Sequence, residues 1–183
     1  IYYLKTWRVT YLSMKRSKKK QIVIAGAGLI GSIMAIALAS KGFDVTVVDG
    51  AKNKDRLERN KGRTYALSRT SKNLLSNLGL WDSKKLNVSP IENIVLSTKK
   101  KASDTICHLA EFNKENSKFD PSSYMIEDSY LRALLESELD RNKKIQLVNS
   151  TEVIHDETNS FETKIFLSDK SSISTEILII SDG

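Results

Sequence analysis

The chain has 183 residues, 40% hydrophobic and 28% charged, which suits one globular domain with at most a second one begun. Two prolines, eight glycines and one cysteine exclude collagen, proline-rich linkers, a disulfide framework and a cysteine-rich zinc site. No apolar run approaches the roughly 18–20 residues of a membrane-spanning helix; the only sizeable candidate, Ile22 to Leu38, is broken by Gly26, Gly28 and Gly31.

The net charge of +7 belongs to the amino terminus. Residues 1–20 hold Lys5, Arg8, Lys15, Arg16, Lys18, Lys19 and Lys20 and no acid. That leaves 29 less 7, or 22, basic groups against 22 acids in the remainder, which is neutral. The leader is expected to be solvated and disordered. Its charge is compatible with contact to an anionic membrane face. The first methionine is Met14, and we expect it to be the natural start, with residues 1–13 as upstream readthrough. A secretory signal runs basic region, apolar core, cleavage site. Here the apolar stretch after the lysines is a strand entering a glycine turn, so a cytoplasmic protein is expected.

Gln21 to Ala25 is rich in β-branched residues and bounded by glycine, which predicts a buried parallel strand. Leu29 to Lys41 is small and apolar throughout, with Gly42 just beyond, which predicts a buried helix with a glycine cap. Asp44 to Asp49 is a second strand, completing one βαβ unit. Ala51 to Lys61 is polar and reads as a loop or short helix. Leu74, Leu75, Leu78 and Leu80 give a helix over 68–80, closed by Gly79. Ile91 to Thr98 and Thr105 to Phe112 read as strands around a turn at Lys99–Asp104. Leu131, Leu134, Leu135 and Leu139 place an amphipathic helix over 127–141, with Asp128 or Ser129 as its cap. Strands follow at Ile145–Val148, Thr151–His155, Thr163–Leu167 and Glu176–Ser181. Residues 151–177 should form a three-stranded antiparallel meander. Ile177 to Ile180 has the composition of a central strand. A chain stopping at Gly183, directly after it, is expected to be truncated.

The chemistry is carried by Gly26-Ala27-Gly28-Leu29-Ile30-Gly31. Gly26 permits a tight turn out of the strand. Gly28 lets the backbone approach a pyrophosphate, and Gly31 lets the helix pack closely on the sheet. The helix mouth then offers unpaired N–H groups and about half a positive charge to the phosphates. Asp49, at the end of the next strand, can accept both hydroxyls of an adenosine ribose. Strand, glycine turn, helix and distal acid together predict dinucleotide binding. The acid repels an NADP 2′-phosphate but does not separate NAD from FAD.

The next segments do. Gly62-Arg63-Thr64-Tyr65-Ala66-Leu67-Ser68, followed by Leu78-Gly79-Leu80-Trp81, resembles the FAD-dependent aromatic hydroxylases, and among them the ubiquinone-biosynthesis (2-polyprenylphenol) group. Tyr124-Met125-Ile126-Glu127-Asp128 with Leu131-Arg132-Ala133-Leu134-Leu135 resembles the family's helix whose early polar residues face the cofactor. Asp128 stands where asparagine is usual and Ser129 where arginine is usual, so Arg132 is the better candidate. Ile180-Ser181-Asp182-Gly183 resembles the start of the family's pyrophosphate-binding A-D-G segment.

The resemblance spans residues 20–183. It implies a Rossmann-like FAD-binding fold with a central parallel sheet over residues 21–183. That domain would be incomplete and would include the first strands of a substrate sheet near 91–126. The implied cofactor contacts are Gly26, Ala27, Gly28, Leu29, Ile30, Gly31, Asp49, Arg63, Arg132, Asp182 and Gly183. The implied cofactors are FAD and NAD(P)H as electron donor, and the implied reaction is oxygen-dependent hydroxylation of an aromatic, possibly polyprenylated, small molecule in ubiquinone formation. A ubiquinone-synthesis complex and the inner membrane face are the implied surroundings. The family continues for about as many residues again, with a second flavin-contacting segment. The chain alone should therefore hold FAD weakly and turn nothing over. The rival readings are a hydroxylase of another small phenol, a non-catalytic gene fragment and an NAD-dependent dehydrogenase.

No catalytic base and no metal ligand is expected. His108 and His155 lie on presumed strands without partners at ligand spacing. Cys107 and His108 point to opposite strand faces, which argues against a nucleophile pair. Lys99-Lys100-Lys101 reads as a solvated turn, and without interleaved aromatics no nucleic-acid partner is expected. Trp81 should pack at a helix end.

Overall fold

A computed structural model describes residues 21–52, 62–82, 84, 86–99, 106–113, 123–160 and 162–181. The basic leader, most of the polar 51–61 segment, nearly all of the 99–104 turn, and Asp182 and Gly183 lie outside the described residues.

Strand β1 (Gln21–Ala25), helix α1 (Leu29–Ser40) and strand β2 (Asp44–Asp49) form the expected βαβ unit. Strands β3 (Thr64–Ser68), β4 (Ser89–Ile91), β5 (Asn93–Lys99), β6 (Ile106–Asn113) and β7 (Ser123–Glu127) follow, with helix α2 (Arg69–Asn77) after β3. Helix α3 (Asp128–Arg141) leads into β8 (Ile145–Asn149), β9 (Val153–Thr158), β10 (Thr163–Leu167), β11 (Ser172–Thr175) and β12 (Ile177–Ile180).

The central sheet is parallel, in the order β12-β1-β2-β8. Alternation along β1 explains what lies on either side of it. Ile22 and Ile24 pack with Ala35, Ile36 and Ala39 of α1 and Leu131, Leu135 and Leu139 of α3. Val23 points the other way and packs with Val48, Ile165 and Leu167. Helices therefore cover one face and the β9–β10–β11 meander covers the other. Full burial of each such side chain stabilises by about 1.5–3 kcal/mol.

Both helix stops foreseen from glycine hold. Gly42 has φ +96° and Gly79 φ +71°, left-handed conformations that end α1 and α2 at little cost. Ser68 caps α2 by accepting from the Ser71 N–H at 3.2 Å. The cap expected on α3 is different: Glu127 occupies the cap position and no side chain bonds there. Ser129 Oγ donates instead to Glu127 Oε1 at 2.6 Å, and Asp128 is turned inward.

Several strand boundaries also differ. The strand expected over 91–98 breaks at Glu92 into β4, which pairs with β7, and β5, which pairs with β6. The strand expected from Thr151 starts at Val153, because Ser150 has φ +59° and the Thr151 N–H is taken by the Asp49 carbonyl at 3.1 Å. Ser172 opens β11. β12 is not central among the described residues: it pairs with β1 on one side only, and Ile177 and Ile180 are exposed. No described helix is long and apolar enough to cross a membrane.

Candidate functional site

The six residues from Gly26 to Gly31 turn the chain out of β1 and into α1. Gly26 has φ +103°, which a side chain would strain. Its N–H donates to the Val48 carbonyl at 2.7 Å, tying the turn to the end of β2. Gly28 is the first residue of the turn to leave open space: a Cβ built there meets nothing within 4 Å. Gly31 is the opposite, since its Cβ would lie 2.0 Å from the Gly26 carbonyl oxygen and 3.3 Å from Ser181 Oγ. The third glycine thus allows helix and strand to touch, as the spacing predicts. Buried Ser32 adds a bond from Oγ to the Ala27 carbonyl at 3.2 Å. Leu29 is half-buried and Ile30 is exposed on the outer side of the first turn. No side chain caps α1, and its first turn carries no acid of its own.

Asp49 turns towards this loop. Its Oδ2 accepts the Ala27 N–H at 2.6 Å, and its Oδ1 accepts the Ala51 N–H at 2.8 Å. The carboxylate is half-buried, and each carboxylate oxygen can accept more than one bond. These features fit an adenine dinucleotide: a helix mouth open to phosphate, open space at the second glycine and an anchored acid at sugar distance in sequence.

Topology brings two more predicted residues to the same end. β8 runs parallel to β2, and α3 enters β8 through Asn142–Lys144 at the sheet's amino edge. The amino end of α3 therefore lies at the carboxyl edge, with the glycine turn and Asp49. α1 and α3 pack side by side, and both start at that edge. Asp128 and Arg132 occupy the first turns of α3. Arg63 joins them across the antiparallel β3–β7 pair, because its carbonyl accepts the Asp128 N–H at 2.8 Å. The exposed Arg63 guanidinium lies 5.4 Å from the Tyr65 ring centroid. Asp182 and Gly183 lie outside the described residues, but Ser181 just before them donates its N–H to the Ala25 carbonyl at 2.7 Å.

Sequence reasoning set Asp128 aside in favour of Arg132. The structure buries Asp128 completely and pairs the two. The signal was present, since Asp128 precedes Leu131, Leu135 and Leu139 on one helical face. The remaining residues fall elsewhere. His108 is exposed on β6, and exposed His155 stacks on Phe166 of β10 at 5.8 Å. Trp81 packs edge-on to Tyr124 at 5.3 Å, past the end of α2.

A family model described as ketopantoate reductase PanE/ApbA matches residues 22–118. Ubiquinone hydroxylase UbiL of Rhodospirillum rubrum is 28% identical over 91% of this chain and 38% of its own length. The 3-demethoxyubiquinol 3-hydroxylase of Escherichia coli is 28% identical over 79% of this chain and 37% of its own. The chain thus spans well under half the length of these relatives. Among solved structures, the Diels-Alderase PyrE3 of pyrroindomycin biosynthesis superposes with a TM-score of 0.71 at 18% identity, over 90% of this chain and 32% of its own. PqsL of Pseudomonas aeruginosa, a probable FAD-dependent monooxygenase, superposes with a TM-score of 0.57 at 18% identity, over 89% of this chain and 41% of its own. At such identities the superpositions speak for the fold, and a fold shared with a Diels-Alderase does not by itself name a reaction.

Proposed function

The chain belongs, over residues 22–118, to the family described as ketopantoate reductase PanE/ApbA, and two of its curated relatives are a ubiquinone hydroxylase and a 3-demethoxyubiquinol 3-hydroxylase; from that premise we propose that it is the adenine-nucleotide-binding part of an FAD-dependent aromatic hydroxylase. The observation that carries this reading is the 2.6 Å bond from the Ala27 N–H to Asp49 Oδ2. It holds a sugar-binding carboxylate against the phosphate-binding turn.

The N–H groups at the mouth of α1 bind the diphosphate, Gly26 and Gly28 keep that mouth open, and Asp49 accepts from the adenosine ribose. Arg63 and Arg132 add positive charge at the same edge. Asp182 and Gly183 are further pyrophosphate contacts in this reading. Bound FAD supplies the redox and oxygen chemistry, while the protein orients it and limits water. The electron donor is NAD(P)H, and the substrate is an aromatic ring of the ubiquinone pathway, in keeping with the relatives' names. Strands within 91–126 open the sheet that receives the substrate. The protein is cytoplasmic and rests against the inner membrane face and its ubiquinone-synthesis partners, a reading supported by the basic run Lys15, Arg16, Lys18, Lys19 and Lys20.

The family match favours one alternative, a nicotinamide-dinucleotide reductase without flavin. FAD, NAD and NADP titrated separately into the full chain distinguish the two. The proposal expects saturable though weak FAD quenching with ADP as competitor, and little NADP binding because Asp49 repels a 2′-phosphate. Nicotinamide nucleotide binding without any FAD binding overturns it.

A further inference from the structure

Helix α3 places a carboxylate among leucines. Asp128, Leu131, Leu135 and Leu139 are buried on one face, and Asp128 is 0% exposed. Its Oδ2 accepts from Arg132 Nε at 2.6 Å, with the Arg132 side chain 13% exposed. Its Oδ1 is buried and has no hydrogen-bond partner among the described residues.

This pair is a poor way to stabilise a fold. Apolar side chains of similar volume commonly do as well as a buried ion pair or better. The orphaned oxygen adds an uncompensated desolvation cost. Such half-satisfied buried groups ask for a role beyond packing.

We propose that Asp128 is a positioning residue that holds Arg132 for the diphosphate of a bound nucleotide. The proposal rests on the nucleotide-binding reading above. An arginine has five N–H donors in a planar fork. Asp128 engages the one on Nε, which fixes the plane and leaves the Nη donors for an anion. Arg132 lies one turn into α3, beside α1, and both helices start at the carboxyl edge of the sheet. Without a ligand, Asp128 also keeps the mostly buried cation from standing unpaired. With a ligand, the guanidinium is already ordered, so less side-chain entropy is lost on binding.

The test measures ADP, FAD and adenosine binding by calorimetry on the full chain, with thermal melts alongside, for the wild type, Asp128→Asn, Arg132→Gln, Arg132→Lys and the Asp128→Asn/Arg132→Gln double variant. Asp49→Ala is the control. Asp128→Asn and Arg132→Gln should each weaken ADP binding about tenfold. The double variant should be no weaker than the weaker single one, Arg132→Lys should not restore affinity, and adenosine binding should not change. A lowered melting temperature with unchanged ADP affinity overturns the proposal, as do additive losses. If Asp128→Asn does not melt cooperatively, full ADP affinity in Arg132→Lys or Arg132→Gln overturns it instead. Loss of ADP binding in Asp49→Ala, with none in the pair variants, removes this inference alone. A wild type that binds neither ADP nor FAD removes the nucleotide reading and this inference with it.

Discussion

Asp49 reaches back across 22 positions of sequence to take the backbone N–H of Ala27 at 2.6 Å. The same side chain takes the N–H of Ala51 at 2.8 Å. One carboxylate therefore fixes both the glycine turn after β1 and the segment that leaves β2. In the proposed reading the same side chain also meets the adenosine ribose.

Replacing Asp49 should consequently show two effects at once. Asp49→Ala removes two charge-assisted bonds within the protein and those to the sugar, each of roughly 1.5–3 kcal/mol. ADP affinity should fall at least tenfold and the melting temperature should drop by several degrees. Calorimetric titration and a thermal melt check the two separately; unchanged ADP affinity contradicts the assigned role.

Gly28 and Gly31 should respond oppositely to the same methyl group. Gly31→Ala puts a carbon 2.0 Å from the Gly26 carbonyl oxygen, a backbone clash that should cost about 3 kcal/mol or more, or prevent folding. Gly28→Ala meets nothing within 4 Å and lies at φ −66°, so the fold should survive it. If the diphosphate lies there, Gly28→Ala weakens ADP binding while leaving the melting temperature nearly unchanged. Circular dichroism melts and ADP titration of the two variants decide this.

The leucine stripe of α3 should behave as ordinary core. Leu135 is 2% exposed, and Leu135→Ala should destabilise by roughly 2–5 kcal/mol. Urea denaturation followed by circular dichroism measures it. A loss below 1 kcal/mol would mean that α3 is not packed against α1 and β1.

The turn between β10 and β11 carries a pH dependence of known sign. Asp169 Oδ1 accepts from Ser171 Oγ at 2.6 Å and from the Ser171 N–H at 2.9 Å. These bonds, the side-chain one first, hold its carboxyl below the usual aspartate value. A depressed folded-state value stabilises above the unfolded pKa, and that contribution is lost as pH falls through the folded one. Ser171→Ala should raise the Asp169 pKa towards its ordinary value. Carboxyl NMR titration of the two proteins reads this directly.

Much of the site was legible from residue order because its causes are local. Gln21–Ala25 and Asp44–Asp49 are short β-branched runs with their ends marked by glycine and acid, and both strands match the expected bounds. α1, expected from its apolar sequence to be buried, is buried on one face only, through Gly31, Ser32, Ala35, Ile36 and Ala39, and leaves Ile30 and Met34 exposed. What escaped was non-local. β3 and β7 are five residues each and alternate weakly, and they exist by pairing with each other, Tyr65 against Ile126. That pairing brings Arg63 to Asp128, so their proximity was invisible in spacing. The inward turn of Asp128 was missed for a related reason: an acid at the start of a helix usually caps it, and only tertiary burial distinguishes the two roles. Ile177–Ile180 misled in the other direction, because an all-aliphatic run signals burial and here half of it stays exposed.

The neighbour of β1 on one side is β12, and Thr175 Oγ1 just before it donates to the Gln21 carbonyl, 154 positions earlier, at 2.6 Å. A chain emerging from the ribosome exposes β1 long before that neighbour exists. Joining ends so far apart is slow and entropically unfavourable, so the sheet edge beside the glycine turn is among the last parts to settle during synthesis. A nascent chain arrested before residue 175 should therefore present the unpaired backbone edge of β1 to chaperones, whereas one released after β12 should not.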